Sequence, residues 1–470
     1  MTYAVFNQAI VTLRQALLEK ETSVLDVTQA YLQRIDTTQA ELAGYTRVLH
    51  DTAIQAAVAS DAQLANAAIS GYVPGPLFGV PISLKDTIDV AGVPTTACSH
   101  SQLHATAQQD AALVTQLKQA GAIIIGKANC HEFAFGGPAF DLPFPPARNP
   151  WDPQLFPGGS SSGSGVTVAS GGAMASIGTD TAGSIRLPST HCGLVGMKPT
   201  YGVVSLDGIR PLSLSMDHAG PLASRVEDCR AVYQAIVSTS DASPVQPVQT
   251  ASNRQARRSG DFQGVRVAIP HQLWGQQARI DDAAMAAYQQ AIDVFLAQGA
   301  EILEVTPPSL EALHAAASII MMSEVARVFA PKVRADFDSY GEVFRNRVLV
   351  GENVSADAYL GACQQRLIIG RQMMALLESV DVFLLPGSLS VAGPLRTVDK
   401  FYFLKDPNLN VVANFTGQPA LALPVTQTPQ GIPTGIQLIG AHYGEDDLFD
   451  IGEGLEAQLR FAESSFMPTK

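Results

Sequence analysis

The sequence predicts a layered α/β protein, on three observations. Short apolar runs bounded by Gly, Pro or polar turns alternate with stretches whose apolar residues recur three and four apart, the periodicities of strand and helix. The helix-like segment 111–120 passes through Gly121 directly into the strand-like 122–125, the junction by which a helix returns to a sheet. The composition, 46% hydrophobic and 16% charged with 39 Gly and 29 Pro, excludes a disordered, collagen-like or coiled-coil chain. At roughly 150 residues per domain the length would allow about three domains, although large α/β enzymes build one domain of this size.

Taken in order, segment 1–20 carries Val5, Ala9, Leu13 and Leu17 at helical spacing among Arg14, Glu19 and Lys20, unlike an export signal. Residues 24–36 and 50–68 continue the helical pattern, with Thr22 and Ser23 as N-cap candidates, so 1–70 is expected to form an outer helical layer. From Gly79 the texture changes, and the apolar runs 80–84, 122–125, 166–169, 203–204 and 265–269 read as strands. Residues 238–264, rich in Ser, Pro, Gln and Arg, read as a surface loop joining halves of a single sheet, with a domain division as the alternative. Arg254, Arg257 and Arg258 are expected to be solvated there. Residues 281–299 and 310–378 look helical, and 401–443 returns to strands and turns. The helical insertion 310–400 therefore sits between sheet segments, where it is expected to wall a pocket and set selectivity.

A net charge of −13 does not suit a nucleic-acid-coating surface. No uninterrupted apolar run approaches the ~18 residues of a membrane-crossing helix, and 315–322 is far too short. Five cysteines at irregular spacing suggest neither a disulfide framework nor a zinc site, and fit a reducing cytoplasm.

The chemistry concentrates in residues 155–206, which hold only three charged side chains, Asp180, Arg186 and Lys198, so the interior of this segment is expected to be buried. Gly158-Gly159-Ser160-Ser161-Ser162-Gly163-Ser164-Gly165 is followed at once by an apolar run and a second Gly-Ser turn, which a flexible linker would not be. It lacks the Lys-Ser/Thr of a phosphate loop. Gly159-x-Ser161-x-Gly163 matches a nucleophile elbow, but that turn belongs between strand and helix, and here it follows the irregular 143–157.

Gly159-Ser160-Ser161, Gly178-Thr-Asp-Thr-Ala-Gly-Ser184-Ile-Arg186, Cys192-Gly193 and Lys198-Pro199-Thr200-Tyr201-Gly202 together resemble the amidase signature family of serine amidohydrolases. The resemblance runs upstream through Gly79-Val-Pro-Ile-Ser-Leu-Lys85-Asp86 and Gly126-Lys-Ala-Asn129-Cys-His-Glu132-Phe. Downstream it includes Asp217-His218-Ala-Gly220-Pro221, with weaker echoes at Gly417 and Gly435–Gly440. It is strong over 70–230 and not diagnostic over 240–400.

The resemblance implies Ser184 as nucleophile, Ser160 as a bridging serine on a cis peptide after Gly159, and Lys85 as base, with the family's spacings of 75 and 24 residues. A serine hydroxyl is a weak nucleophile until a base takes its proton, here through Ser160 to Lys85. Lys85 must then be neutral, which asks for a fall of about 3 from the free value near ~10.4, on the order of 4 kcal/mol, within reach of desolvation. The backbone N–H groups of Thr181, Ala182, Gly183 and Ser184 would form the oxyanion hole. Ala182 departs from the commoner Gly-Gly-Ser, and a positive φ there would strain the turn. Asp180 and Arg186 are expected to pair structurally in so apolar a segment, and Ser161 to hydrogen-bond locally.

Other clusters are weaker. His100 and His104 have i, i+4 ligand spacing without the carboxylate of a zinc motif, and no metal is expected. Cys192 reads as core. Asp217 and His218, as neighbours on one strand, would point to opposite faces and could not both serve one serine. Phe133, Phe135, Phe140 and Phe144 could line an acyl pocket or fill core.

The resemblance implies a single large α/β domain, with a signature core at 75–230 and a mixed central sheet between helices. The expected activity is cofactor-free hydrolysis of a small-molecule amide, ester or carbamate, without nucleic acid or membrane, in a possible homodimer built on the N-terminal helices. The alternative is the ammonia-releasing component of a glutamyl-tRNA amidotransferase, its A subunit, which uses the same triad on glutamine and serves a partner. Residues 203–210 and the His of Asp217-His218 differ from that component's usual pattern.

Overall fold

Eleven strands hydrogen-bond side by side into one sheet in the computed structural model, which describes residue 6 and residues 8–237, 254–270, 280–405, 408–459 and 461. In chain order they are β1 (Tyr45–Val48), β2 (Pro81–Lys85), β3 (Ile123–Ala128), β4 (Ala175–Asp180), β5 (Val195–Lys198) and β6 (His218–Ala223). The second half supplies β7 (Arg266–Ile269), β8 (Glu301–Glu304), β9 (Val382–Pro386), β10 (Ala420–Gln427) and β11 (Pro433–Ile439). Their spatial order is β1-β3-β2-β4-β6-β5-β10-β11-β9-β7-β8. β2 runs parallel to β3 and β4, and β7 to β8 and β9, while the other neighbours are antiparallel, so the sheet is mixed. Helices flank it.

The strand sequences follow from that burial. β2 to β6, β9 and β11 are buried along their whole length, so runs such as Ile123-Ile124-Ile125 need no polar alternation. The edge strands β1 and β8 are partly exposed and carry Arg47, Glu301 and Glu304, which discourage further pairing. Helix Val24–Leu42 begins at Ser23, whose hydroxyl accepts the Asp26 N–H at 3.0 Å.

Several sequence expectations are corrected. Segment 166–169 belongs to the helix Ser162–Ala169, not to a strand. Its apolar run is too short for periodicity to decide, and the helix is buried on every side because its residues are small. Residues 203–204 lie in a turn, and 401–443 includes the helices Tyr402–Lys405 and Val411–Thr416 ahead of β10 and β11. Of the expected loop 238–264, residues 238–253 lie outside the described residues, and 254–258 is a short helix. Arg257 and Arg258 are not simply solvated: Arg257 approaches Asp381 and Asp447, and Arg258 pairs with the buried Asp450 at 2.7 Å.

Helices Leu310–Ala335, Glu342–Gly351 and Ala356–Leu377 fill the stretch between β8 and β9. The first is long and apolar enough to cross a bilayer by length and composition, which uninterrupted runs alone did not bring out. In this fold its Leu313, Ala317, Ile320, Val325 and Phe329 are buried in the main core.

Candidate active site

The C-terminal ends of the parallel strands β2 and β4 bring Lys85 and Thr179 together. The Lys85 ammonium donates to Ser160 Oγ at 2.8 Å and to Thr179 Oγ1 at 2.7 Å. Lys85 is fully buried, and burial pulls it down to about 8 against the opposing influence of Cys130, Asp180 and Asp217. The Gly159–Ser160 peptide is cis. A Cβ on Gly159 would lie 2.2 Å from His131 Cε1, so the imidazole takes the space that a larger residue would need. Burial first, then the nearby charges of Arg347 and Lys85, hold His131 down to about 3, so its ring is neutral.

Ser161 does not reach this centre. Its hydroxyl donates to the Thr179 carbonyl at 3.0 Å and accepts the Thr179 N–H at 3.2 Å, fixing the serine loop to β4. The hydroxyls of Thr167 and Ser164 likewise find Ser83 and the Ile177 carbonyl, so a polar helix is buried with its groups satisfied.

Ser184 sits on the turn after β4. Asp180 organises that turn: its carboxylate accepts the N–H of Gly183 at 2.7 Å and of Ile185 at 3.0 Å. It also pairs bidentately with Arg186 at 3.0 and 3.1 Å, both side chains being fully buried. Burial alone would raise the Asp180 carboxyl, and the Arg186 guanidinium outweighs it, holding the group below the usual carboxylate range. Arg186 extends the network to Asn414 at 2.6 Å and Gln437 at 2.8 Å, so the turn is tied to the helix before β10 and to β11.

Two expectations about the oxyanion hole change. The Gly183 N–H is committed to Asp180, which removes it from the four backbone donors expected of Thr181, Ala182, Gly183 and Ser184. The left-handed φ of the turn falls on Gly183, at 113°, and not on Ala182, so the extra methyl brings no backbone strain. The turn is braced from outside by Asn408 Nδ2 to the Ala182 carbonyl at 2.7 Å and by the Thr181 hydroxyl to Asp217 at 2.6 Å.

Ser160, Thr181, Ala182 and Ser184 line one cavity of about 680 Å³. The phenylalanines divide: Phe135 lines the cavity, Phe133 packs on Phe329 and Phe344 in the core, Phe140 is exposed, and Phe144 lines a separate small recess. Met321 and Arg347 reach the cavity from the helical segment 310–377, and Asp399 from the loop beyond β9. The Arg347 guanidinium bonds to the carbonyls of Phe135, Gly136 and Lys400 and lies over the Phe135 and Tyr402 rings.

The competing clusters stay outside. His218 turns its Nδ1 to the carbonyls of Met216 at 2.7 Å and Asp180 at 3.2 Å, while Asp217, one residue before β6, turns to Thr181. Cys192 is buried with Val168 and Leu194, and burial pushes its thiol up. His100 opens a 3-10 turn, not an α-helix, so the i, i+4 geometry with His104 is not formed; among the described residues no group of three metal-ligating side chains occurs. Sequence reasoning missed Thr179, Asn408, Asn414 and Arg347, and weighed Asp217 only as a triad partner of His218, not as the acceptor for Thr181. Thr179 and Asp217 stood inside motifs already noted, whereas the other three had no local signal.

The amidase family model matches residues 26–449. The A subunit of glutamyl-tRNA(Gln) amidotransferase from Roseiflexus sp. (strain RS-1) is 33% identical, over 94% of this chain and 94% of that one. A solved structure described as a vestigial protein complex revealing the origins of an s-triazine catabolic enzyme is 29% identical with a TM-score of 0.85, covering 98% of this chain and 100% of that one. The native peptide amidase from Stenotrophomonas maltophilia is 28% identical with a TM-score of 0.81, covering 96% and 97%.

Proposed function

The chain belongs to the amidase family, and on that premise we propose that it hydrolyses a small carboxamide with Ser184 as nucleophile, Ser160 as relay and Lys85 as base. The observation that carries this reading is the fully buried Lys85, 2.8 Å from Ser160 Oγ in the cavity wall that also holds Ser184. Neutral Lys85 takes the Ser160 proton as Ser160 takes that of Ser184, whose oxygen attacks the amide carbon. The oxyanion is received by the free N–H donors of the turn. On collapse the proton returns through Ser160 to the leaving nitrogen, ammonia or an amine departs, and water then cleaves the acyl-enzyme by the same relay.

A second reading has more support from the comparisons than a free-standing amidase does: glutamine is the carboxamide, and the ammonia passes to a partner protein. It rests on the full-length likeness to the A subunit of an amidotransferase. Five free thiols suit a reducing compartment, as a cytoplasmic enzyme would have.

The test is turnover of aryl amides, esters, carbamates and glutamine by wild type, Ser184→Ala and Lys85→Ala. Loss in both variants supports the triad, and full activity in Ser184→Ala removes it. Glutamine as sole substrate, with a second protein co-purifying, selects the amidotransferase reading.

A further inference from the structure

The helical segment between β8 and β9 does more than wall the cavity, because it also grips a loop that holds the nucleophile turn. Met321 of the helix Leu310–Ala335 lines the cavity, and Glu324, one turn further on, meets the loop 212–217. One Glu324 oxygen accepts the Ser213 hydroxyl at 2.6 Å and the Ser215 N–H at 3.1 Å. The other accepts the Tyr359 hydroxyl at 3.3 Å, from the helix Ala356–Leu377. Arg366, on that same helix, donates to the Ser215 carbonyl at 2.8 Å and to the Phe415 carbonyl at 2.7 Å. Two long helices therefore hold one short loop, by its N–H and by its C=O.

That loop is wound on Ser213, which is fully buried. The Ser213 carbonyl accepts the N–H of Met216 at 2.9 Å and of Asp217 at 2.8 Å. Its own N–H goes to the Asp217 carboxylate at 3.0 Å, beside that of Leu212 at 2.8 Å. The remaining Asp217 oxygen accepts the Thr181 hydroxyl at 2.6 Å. Thr181 stands three residues before Ser184, and both line the cavity. The chain of contacts from Glu324 to the turn thus consists of hydrogen bonds to carboxylates, the stronger kind, and a shift of Ser213 is passed by Asp217 to Thr181.

We propose that Glu324 is a positioning residue for the nucleophile turn: it fixes Ser213, Ser213 fixes Asp217, and Asp217 holds Thr181 and with it the backbone that carries Ser184. The inference rests on the reading of Ser184 as nucleophile, whichever carboxamide is the substrate. It gives the segment 310–377 a part in rate as well as in pocket shape. What the loop requires at 324 is an acceptor, because the groups it offers there are a hydroxyl and an N–H. Removing that acceptor releases the loop, and a misplacement of about 1 Å near reacting atoms costs on the order of 10²-fold in rate.

The test is the rate of Ser184 labelling by a fluorophosphonate, resolved into KI and kinact, in wild type, Glu324→Leu, Glu324→Gln, Asp217→Asn and the double variant Glu324→Leu with Asp217→Asn. The final extent of labelling counts folded molecules, and kinact reads the turn. Leu keeps the bulk and removes the acceptor, whereas Gln keeps an acceptor oxygen. The expected result is a kinact that falls about tenfold or more in Glu324→Leu with KI unchanged, and stays within about threefold in Glu324→Gln. In the double variant it should lie within about twofold of Asp217→Asn alone, since both substitutions act on one chain of contacts. An unmoved kinact in Glu324→Leu, a Gln variant as slow as the Leu one, losses that multiply in the double variant, or a change confined to KI overturns the positioning role. If Glu324→Leu gives no folded protein, Ser213→Ala, which removes only the hydroxyl, decides: a fall in kinact of about threefold or more supports the role, and an unmoved kinact overturns it. Wild type that takes no label on Ser184 loses the nucleophile reading and this inference with it, whereas a labelled wild type with any of the contrary results loses the role of Glu324 alone.

Discussion

The Thr179→Val substitution isolates what Thr179 does to the base. Thr179 Oγ1 accepts a 2.7 Å hydrogen bond from Lys85, and that bond favours the charged ammonium. Burial pulls the other way and brings Lys85 to about 8. In the wild type about a tenth of Lys85 is then neutral at pH 7, half at pH 8 and nine tenths at pH 9, so kcat/KM should rise about fivefold from pH 7 to 8 and less than twofold beyond. The sign follows from the mechanism, since only neutral lysine accepts the Ser160 proton. Valine preserves the shape and removes the acceptor. A hydrogen bond to a charged group is worth about 1.5 kcal/mol or more, and 1.36 kcal/mol corresponds to one pH unit, so the inflection should move down by roughly one unit. The assay is the pH profile of kcat/KM on a neutral amide from pH 6 to 10. A rate that falls as pH rises from 7 to 9, or an inflection unmoved or shifted upward in Thr179→Val, refutes the reasoning.

Other outcomes follow from the same geometry. Asp180→Asn leaves Arg186 buried without its counter-ion and weakens the N–H contacts that shape the turn; it should cost about 3–5 kcal/mol in denaturant unfolding, along with most activity. Gly183→Ala, with φ at 113° and its Cβ 2.5 Å from the Asn410 Cβ, should lower kcat by at least ~10-fold, whereas Ala182→Gly, outside the left-handed region, should keep kcat within about threefold. Steady-state kinetics on purified protein separates these two. Gly159→Ala drives a methyl into the His131 ring, and thermal melting should show it less stable than wild type.

The sequence was most legible where one residue type answers one local demand. Gly121 marks the turn into β3, Ser23 the start of a helix, and the charge-poor 155–206 announces a buried segment whose Asp180 and Arg186 must find each other. It was least legible where tertiary packing overrides local preference. The helix Ser162–Ala169 has few helix formers and is held by its hydroxyl contacts to β2 and β4, so its apolar end resembled a strand. Which residue of the Ser184 turn takes the left-handed φ, and which N–H is already committed, depends on where the Asp180 carboxylate lies. Arg347, Asn408 and Asn410 reach the site across more than 200 residues of chain, a distance at which no spacing rule operates.

The central claim, that Ser184 is the nucleophile, is tested most directly by intact-mass and peptide mapping after treatment with a serine-directed fluorophosphonate. A single adduct on the peptide containing Ser184, absent from Ser184→Ala and slowed in Lys85→Ala, is the predicted result. An adduct on Ser161, or undiminished labelling of Ser184→Ala, would contradict it.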